Sequence, residues 1–409
     1  MGMRIARTLW AAVLLLHAGA AEAGERPVVV VPVGQEASYR AVARVSIAVR
    51  RVLASRGHVV TSAALVLSPR SPASSELAQA KAKLKEGIEL YDGLDFKRAR
   101  GVFSEAVELF RQALRQGYGR KDYVRALHYL AASALYDNDR KAAASHFVDA
   151  HAFRPSQGLD SAVFPPDVAK VNQEAIAAAT ERGSLNIVCN PPAEVLVNGK
   201  AAGAAPMLLR NRLPGSYLIT CRRAGYESDS QWIAVEAGGK AEVRTELRPL
   251  AQKAAYAQAV SGAQQELVAG APGPATQGLA QMLGAGALVL VAQQGPAITA
   301  VWFEGGAFTK RYQAQVAARG ERTFAEQFVT AGAAVAAGVC TAASDCPAGQ
   351  QCAGGRCVGA ASGGTPFYKT WWFWTVVGVV VAGGATTAVV LTVGGKESWS
   401  AELRPGGVR

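Results

Sequence analysis

Cysteine and histidine are scarce in this chain, at six and five among 409 residues, and aromatic residues make up only 7%. Six cysteines over such a length exclude a disulfide-dense miniprotein. Gly and Pro, at 43 and 18, are too few for a collagen or a Pro-rich stalk. A chain that is 50% hydrophobic is not disordered throughout. Its length suits two or three domains of ~100–200 residues each.

Signatures of catalysis are missing as well. No G-x-x-x-x-G-K-[ST], G-x-S-x-G or H-E-x-x-H occurs; Gly395-Lys396 runs into Glu397, and Gly284-x-Gly286 lacks a third glycine. His146 and His151, five apart, splay on a helix instead of stacking, and His58 and His128 stand alone. Asp92 and Asp95 suit a turn and a helix cap. No catalytic, cofactor-binding or metal-binding set is expected, and the chain is not read as an enzyme.

What is present first gives an address. Arg4 and Arg7, the apolar run Leu9 to Leu16 and Ala21-Glu22-Ala23 have the form of a secretory signal peptide over residues 1–23, with Gly24 starting the mature chain. No cysteine follows the apolar core, so a lipoprotein is not expected. Trp371 to Val393 is a 23-residue run without a charge, opening on Trp371, Trp372, Phe373 and Trp374. As a helix it would rise ~34 Å, enough to span a bilayer with its aromatics at the interface. Lys396, Arg404 and Arg409 on one side barely outnumber Arg356 and Lys369 on the other, so the signal peptide sets the orientation. The expectation is a single-pass inner-membrane protein, largely periplasmic, with a cytoplasmic tail at 394–409. Gly378, Ala382 and Thr386 place small side chains on one face of that span.

Between these signals, residues 76–182 read as helical and repetitive. Gly87, Leu90, Ala99, Phe103 and Ala106, then Leu130, Ala131, Ala134, Ala143, Phe147, Ala150 and Pro155, fall at matching offsets of a helix–turn–helix unit. Small residues let two helices approach, the phenylalanines fill the space between them, and Pro155 ends the second helix. Asp95 and Asp139 suit N-caps. The pattern resembles the tetratricopeptide repeat. It departs in two ways: Ala99 and Ala143 are 44 residues apart, implying about ten extra residues around Gln116 to Lys121, and Lys83 and Leu127 stand where that family carries tryptophan. The helix from Pro166 to Arg182 then caps the array. The resemblance implies a groove lined by first helices, with Lys83, Glu86, Tyr123 and Leu127 facing a protein partner.

Residues 183–248 change period from 3.6 to 2. Alternating Ser184 to Cys189, the Pro191-Pro192 break, the hairpin signal Asn198-Gly199, Pro206, Leu213-Pro214-Gly215, Tyr217 and Gly225-Tyr226 mark short strands and their turns. Together with Pro192, Val195, Val197 and Gly203, their order resembles the PEGA domain, a small all-β module of bacterial surface proteins. Cys189 and Cys221 lie on two of the strands; a bridge would close a loop of about 32 residues, stabilising by roughly 3.5 kcal/mol. Two buried thiols are the other reading, and export favours the bridge.

Residues 24–75 and 249–336 read as α/β segments. Pro27 to Val33, a helix at Tyr39 to Arg56 and the apolar run His58 to Leu67 make the first; Leu279 to Leu283 and strands at Ala287 to Val291, Ala297 to Phe303 and Ala307 to Arg311 make the second. Whether they pair into one interrupted domain stays open. In the knob and linker at 337–364, Cys340, Cys346, Cys352 and Cys357 have gaps of five, five and four, resembling short disulfide modules of secreted proteins. Zinc sites use other spacings and often histidine, absent here, so disulfides are expected, with three pairings open. The fold class is multidomain α+β with one C-terminal transmembrane helix.

The formal charge of +12 gathers on helices, at Arg40, Arg44, Arg50, Arg51 and Arg56, then Lys97, Arg98, Arg100, Arg111, Arg115, Arg120, Lys121 and Arg125. Glu105 and Glu108 interleave with the second group, as on a solvated helix face. Outside the inner membrane such a surface meets membrane lipid or acidic polymer, so no nucleic acid partner is expected. The expected role is a scaffold that holds protein partners by its helical repeats and touches envelope polysaccharide or peptidoglycan by its β module. A sensor relaying a signal through the span is the alternative, and a hydrolytic ectodomain the third.

Overall fold

The computed structural model describes residues 26–68, 75–330, 350–353 and 356–359, which fold as mixed α+β. Residues 26–68 and 75–330 belong to one compact unit and the segment 350–359 to another. Among the described residues no helix is long and apolar enough to cross a membrane. The expected signal peptide, the span at 371–393, the tail, Cys340 and Cys346 lie outside the described residues.

The chain begins with β1 (Val28–Val33), α1 (Glu36–Ser55), the three-residue β2 (Val60–Ser62) and α2 (Ala63–Leu67). β1 is buried on both faces, as a strand of five valines broken only by Pro32 suits. The run His58 to Leu67 is divided, because the Ser62 hydroxyl accepts from the Leu65 N–H and starts a helical turn.

Five helices follow: α3 (Ser75–Asp92), α4 (Phe96–Arg115), α5 (Arg120–Tyr136), α6 (Arg140–Phe153) and α7 (Pro166–Ala178). Ala99, Phe103, Ala106, Ala131, Ala143, Phe147 and Ala150 all lie in their common core. Gly87 is buried too, and a Cβ there would stand 2.4 Å from the Phe103 ring, so the missing side chain is what lets α3 and α4 meet. Pro155 is exposed just past the end of α6. The two hairpin turns repeat one geometry. Leu94 and Asn138 take φ of 61° and 62°, and Asp95 and Asp139 accept from the Arg98 and Ala142 amides. Most of the inserted residues lengthen α4, which has 20 residues against 14 in α6.

The β module comprises β3 (Gly183–Asn190), β4 (Glu194–Val197), β5 (Lys200–Ala204), β6 (Met207–Arg212), β7 (Gly215–Arg222), β8 (Asp229–Val235) and β9 (Lys240–Glu246). They form two sheets, ordered β6-β3-β9 and β5-β4-β7-β8. Leu185, Ile187, Val195, Tyr217 and Ile219 fill the space between them. Asn198 and Gly199 both take positive φ, 49° and 75°, as a type I′ hairpin turn demands. Cys189 of β3 and Cys221 of β7 are joined by a disulfide that ties one sheet to the other.

The chain continues through α8 (Lys253–Ala269), α9 (Pro274–Met282), β10 (Ala287–Gln294), β11 (Ala297–Glu304), β12 (Ala307–Ala314) and α10 (Glu321–Thr330). One sheet, ordered β12-β11-β10-β1-β2, joins the two α/β segments. β1 runs parallel to β10 and to β2, with Val28 opposite Ala287 on one side and Val60 on the other. The segments therefore make one interrupted domain, and the helices and β module are inserted within it. At the neck, the Gln252 side chain donates to the Leu67 carbonyl at 2.9 Å, stitching the departing chain to the returning one. Val45, Val49, Phe324 and Phe328 cover one face of the sheet; Tyr256, Leu267, Leu279 and Leu283 cover the other. In the second unit, β13 (Gln350–Ala353) and β14 (Arg356–Gly359) pair as a hairpin, with Cys352 opposite Cys357 in register.

Candidate functional site

Of the four residues expected to line a groove, two are available. Lys83 and Glu86 sit on α3, with the Lys83 Nζ 3.1 Å from Glu86 and 3.0 Å from Glu105 of α4; all three keep a third or more of their side chains in water. Hydrogen bonds to Glu105 and then Glu86 raise the Lys83 ammonium above its ordinary value. Tyr123 and Leu127 do not line a groove: each is only 2% exposed. They belong to α5, the middle helix of the stack, most of whose residues are buried, with Lys121 and Arg125 left exposed. The Tyr123 ring is closed off by Phe153 at 4.7 Å and by Trp232 of β8 at 5.5 Å. Two turns on, Phe164 lies 4.9 Å from Tyr129 and 6.3 Å from His128. A surface helix in the repeat pattern becomes a core helix once these covers are added.

The covering by Trp232 is one half of a docking face. Its indole N–H donates to the Arg111 carbonyl at 3.1 Å, its ring stacks on Phe153 at 5.7 Å, and the Arg111 guanidinium lies 4.6 Å over it. The hairpin residue Asn198 also reaches across. Its Nδ2 donates to the carbonyls of Ala152 and Phe153, while its Oδ1 accepts from the Leu218 amide at 2.8 Å. Those two carbonyls end α6 and have no partner within the helix, so the β module supplies its C-cap. At Gly215 the approach is closer still, since a Cβ would meet Asp149 at 2.7 Å. The Ser216 amide donates to the Asp149 carboxylate at 3.0 Å. Burial pushes that carboxyl up, against the opposing pull of the Ser216 amide and Arg111. Asn198 and Gly215, expected only as turn formers, are also docking residues. Pro206, which follows a cis peptide, and Pro214, at the bend before β7, serve the module's own turns.

The opposite end of the β module is bound to the α/β domain. Gly225 abuts Lys253, whose Nζ lies 4.7 Å over the Tyr226 ring. Arg223 lies 4.3 Å over the Tyr39 ring of α1 and donates to the Pro192 carbonyl. Beneath this layer Glu194 of β4 meets Arg50 of α1 at 2.5 Å and Arg222 of β7 at 3.6 Å. All three side chains are nearly buried, at 7%, 12% and 11% exposure. Burial pushes the Glu194 carboxyl up, but Arg50 and Arg222 outweigh it and hold the group below its ordinary value. Burial also pushes the Arg222 guanidinium down, and half a share in one carboxylate does not restore it. The Tyr39 hydroxyl is pushed up to about 12, chiefly by burial. Arg51 of α1 donates to the Ala201 carbonyl on the edge strand β5, covering that edge.

Sequence reasoning did not single out Glu194 or Trp232 as contacts. Arg50 had figured only as part of a basic run, and its partner is 144 residues away. Among the described residues no three His, Cys, Asp or Glu side chains converge as a metal site would need. What the arrangement does is mechanical: the β module is a keystone, held to the helices by Asn198, Gly215 and Trp232 and to the α/β domain by Glu194 and Arg223. A comparison with models of known protein families finds no match, and a comparison with curated proteins finds none either.

Proposed function

We propose that the protein is a membrane-anchored periplasmic scaffold. In this reading the tetratricopeptide-like helices bind a protein partner, the PEGA-like β module contacts envelope polysaccharide or peptidoglycan, and the segment at 371–393 tethers both to membrane lipid. The observation that supports it best is the double docking of the β module through Trp232 on one side and Glu194 on the other. Rigid joints hold binding surfaces at a fixed separation, which a scaffold requires. The disulfide between Cys189 and Cys221 suits an oxidising compartment. With Tyr123 and Leu127 buried, the partner surface moves to the charged outer face of α3 and α4, where Lys83, Lys85, Glu86, Glu89 and Glu105 reach water.

A photo-crosslinking residue at position 85, used in intact cells and read by mass spectrometry, tests the surface. One protein partner should be captured and should be lost when Lys83 and Glu86 exchange charge, as Lys83→Glu with Glu86→Lys. Capture unaffected by that exchange refutes the assignment. A reporter fused just before Trp371 should be active only outside the cytosol; cytosolic activity removes the anchored topology.

A further inference from the structure

On the α1 side of the α/β sheet lies a cavity of about 260 Å³ that the scaffold reading leaves without a role. It opens between the first turns of α1, the β10–β11 hairpin and the segment leading into α10. Gln293, at the carboxyl end of β10, lines it on one side, and α1, the helix that follows β1, lines it on another. Val45, Ile298, Val316 and Ala318 give it apolar walls. Its polar groups are Gln293 and the ion pair of Arg44 with Glu321, whose side chains are 42% and 19% exposed.

Size and charge narrow what fits. Pockets for drug-sized ligands begin at ~300 Å³, so this one takes something smaller, about one large side chain with its backbone atoms. The charges are balanced. An anion drawn to Arg44 would leave the partly buried Glu321 carboxylate without its partner, and a cation drawn to Glu321 would meet the Arg44 guanidinium already held there. A zwitterion satisfies both, taking the place each of the pair now fills for the other. We propose that the cavity binds a free α-amino acid with an apolar side chain. The carboxylate pairs with Arg44, the ammonium with Glu321, and the side chain lies against Val45, Ile298 and Ala318. The scaffold would then carry a small-molecule site on the domain that anchors both of its binding modules.

Calorimetry and ligand-observed NMR on the full chain, with leucine and phenylalanine as probes, test this. Leucine should bind saturably. N-acetyl-leucine, which keeps only the carboxylate and mimics a peptide's last residue, should bind about tenfold or more weakly. Leucinamide, which keeps only the ammonium and mimics a peptide's first residue, should weaken as much. Glu321→Gln should cost leucine about tenfold while strengthening N-acetyl-leucine, which then no longer competes with Glu321 for Arg44, a pattern that misfolding would not produce. Ala318→Trp should fill the cavity and abolish binding, with the circular dichroism spectrum retained. Absence of saturable binding by either amino acid overturns the proposal. So does equal binding of the single-charge analogues, which would mark a merely apolar hole, or binding that survives Ala318→Trp.

Discussion

Replacing Glu194 by glutamine removes the one carboxylate that lies between Arg50 and Arg222 while keeping the side chain's shape. Two guanidiniums would then face each other with 12% and 11% exposure and no counter-charge. Removing one partner of a buried ion pair costs about 3–5 kcal/mol, because the remaining charge stays desolvated and unpaired. Glutamine still offers a carbonyl oxygen, so the expected loss lies at the low end, about 3 kcal/mol. Arg50→Met is milder, since Glu194 keeps Arg222, and should cost about 1–2 kcal/mol. Because both changes act on one cluster, the double variant should cost less than the sum of the two by about 1 kcal/mol or more. Urea unfolding measures all three. Hydrogen exchange should localise the effect to α1, β4 and β7, the elements on either side of the joint. A loss below about 1 kcal/mol for Glu194→Gln, or strict additivity with Arg50→Met, refutes the picture of a charged cluster holding the β module to the α/β domain.

Three further outcomes follow from the packing. His128 is buried against Phe147 and Phe164, and burial lowers its imidazole to about 4. The unfolded chain takes up that proton below pH ~6.5 and the native one only near 4, so stability should fall by up to about 3 kcal/mol between those values and level off below. His128→Phe should flatten this part of a stability–pH curve, and an unchanged slope would contradict it. Reducing the Cys189–Cys221 bridge should lower stability by about 3.5 kcal/mol, measured as the shift in denaturation midpoint of the reduced chain or of Cys221→Ser. Gly87→Ala should destabilise by about 1–3 kcal/mol despite alanine's higher helix propensity, because its methyl meets Phe103; a rise in melting temperature would refute the close α3–α4 contact.

Local elements were legible from neighbouring residues. Asp95 and Asp139 mark helix starts and Asn198-Gly199 marks a hairpin, because each depends on residues within a few positions of itself, and Gly87 and Phe103, 16 residues apart on neighbouring helices, mark a close pair by size and spacing. Which elements meet depended on long-range packing. Val28 pairs with Ala287, and Arg50 reaches Glu194 144 residues on, across intervening folds that no local pattern encodes. That packing also decided which faces are wet. Tyr123 and Leu127 hold the positions of groove residues, yet Trp232 and Phe153 seal the Tyr123 ring while Leu127 sinks into the helical core, since exposure depends on everything that packs against a helix and not on the helix's own period.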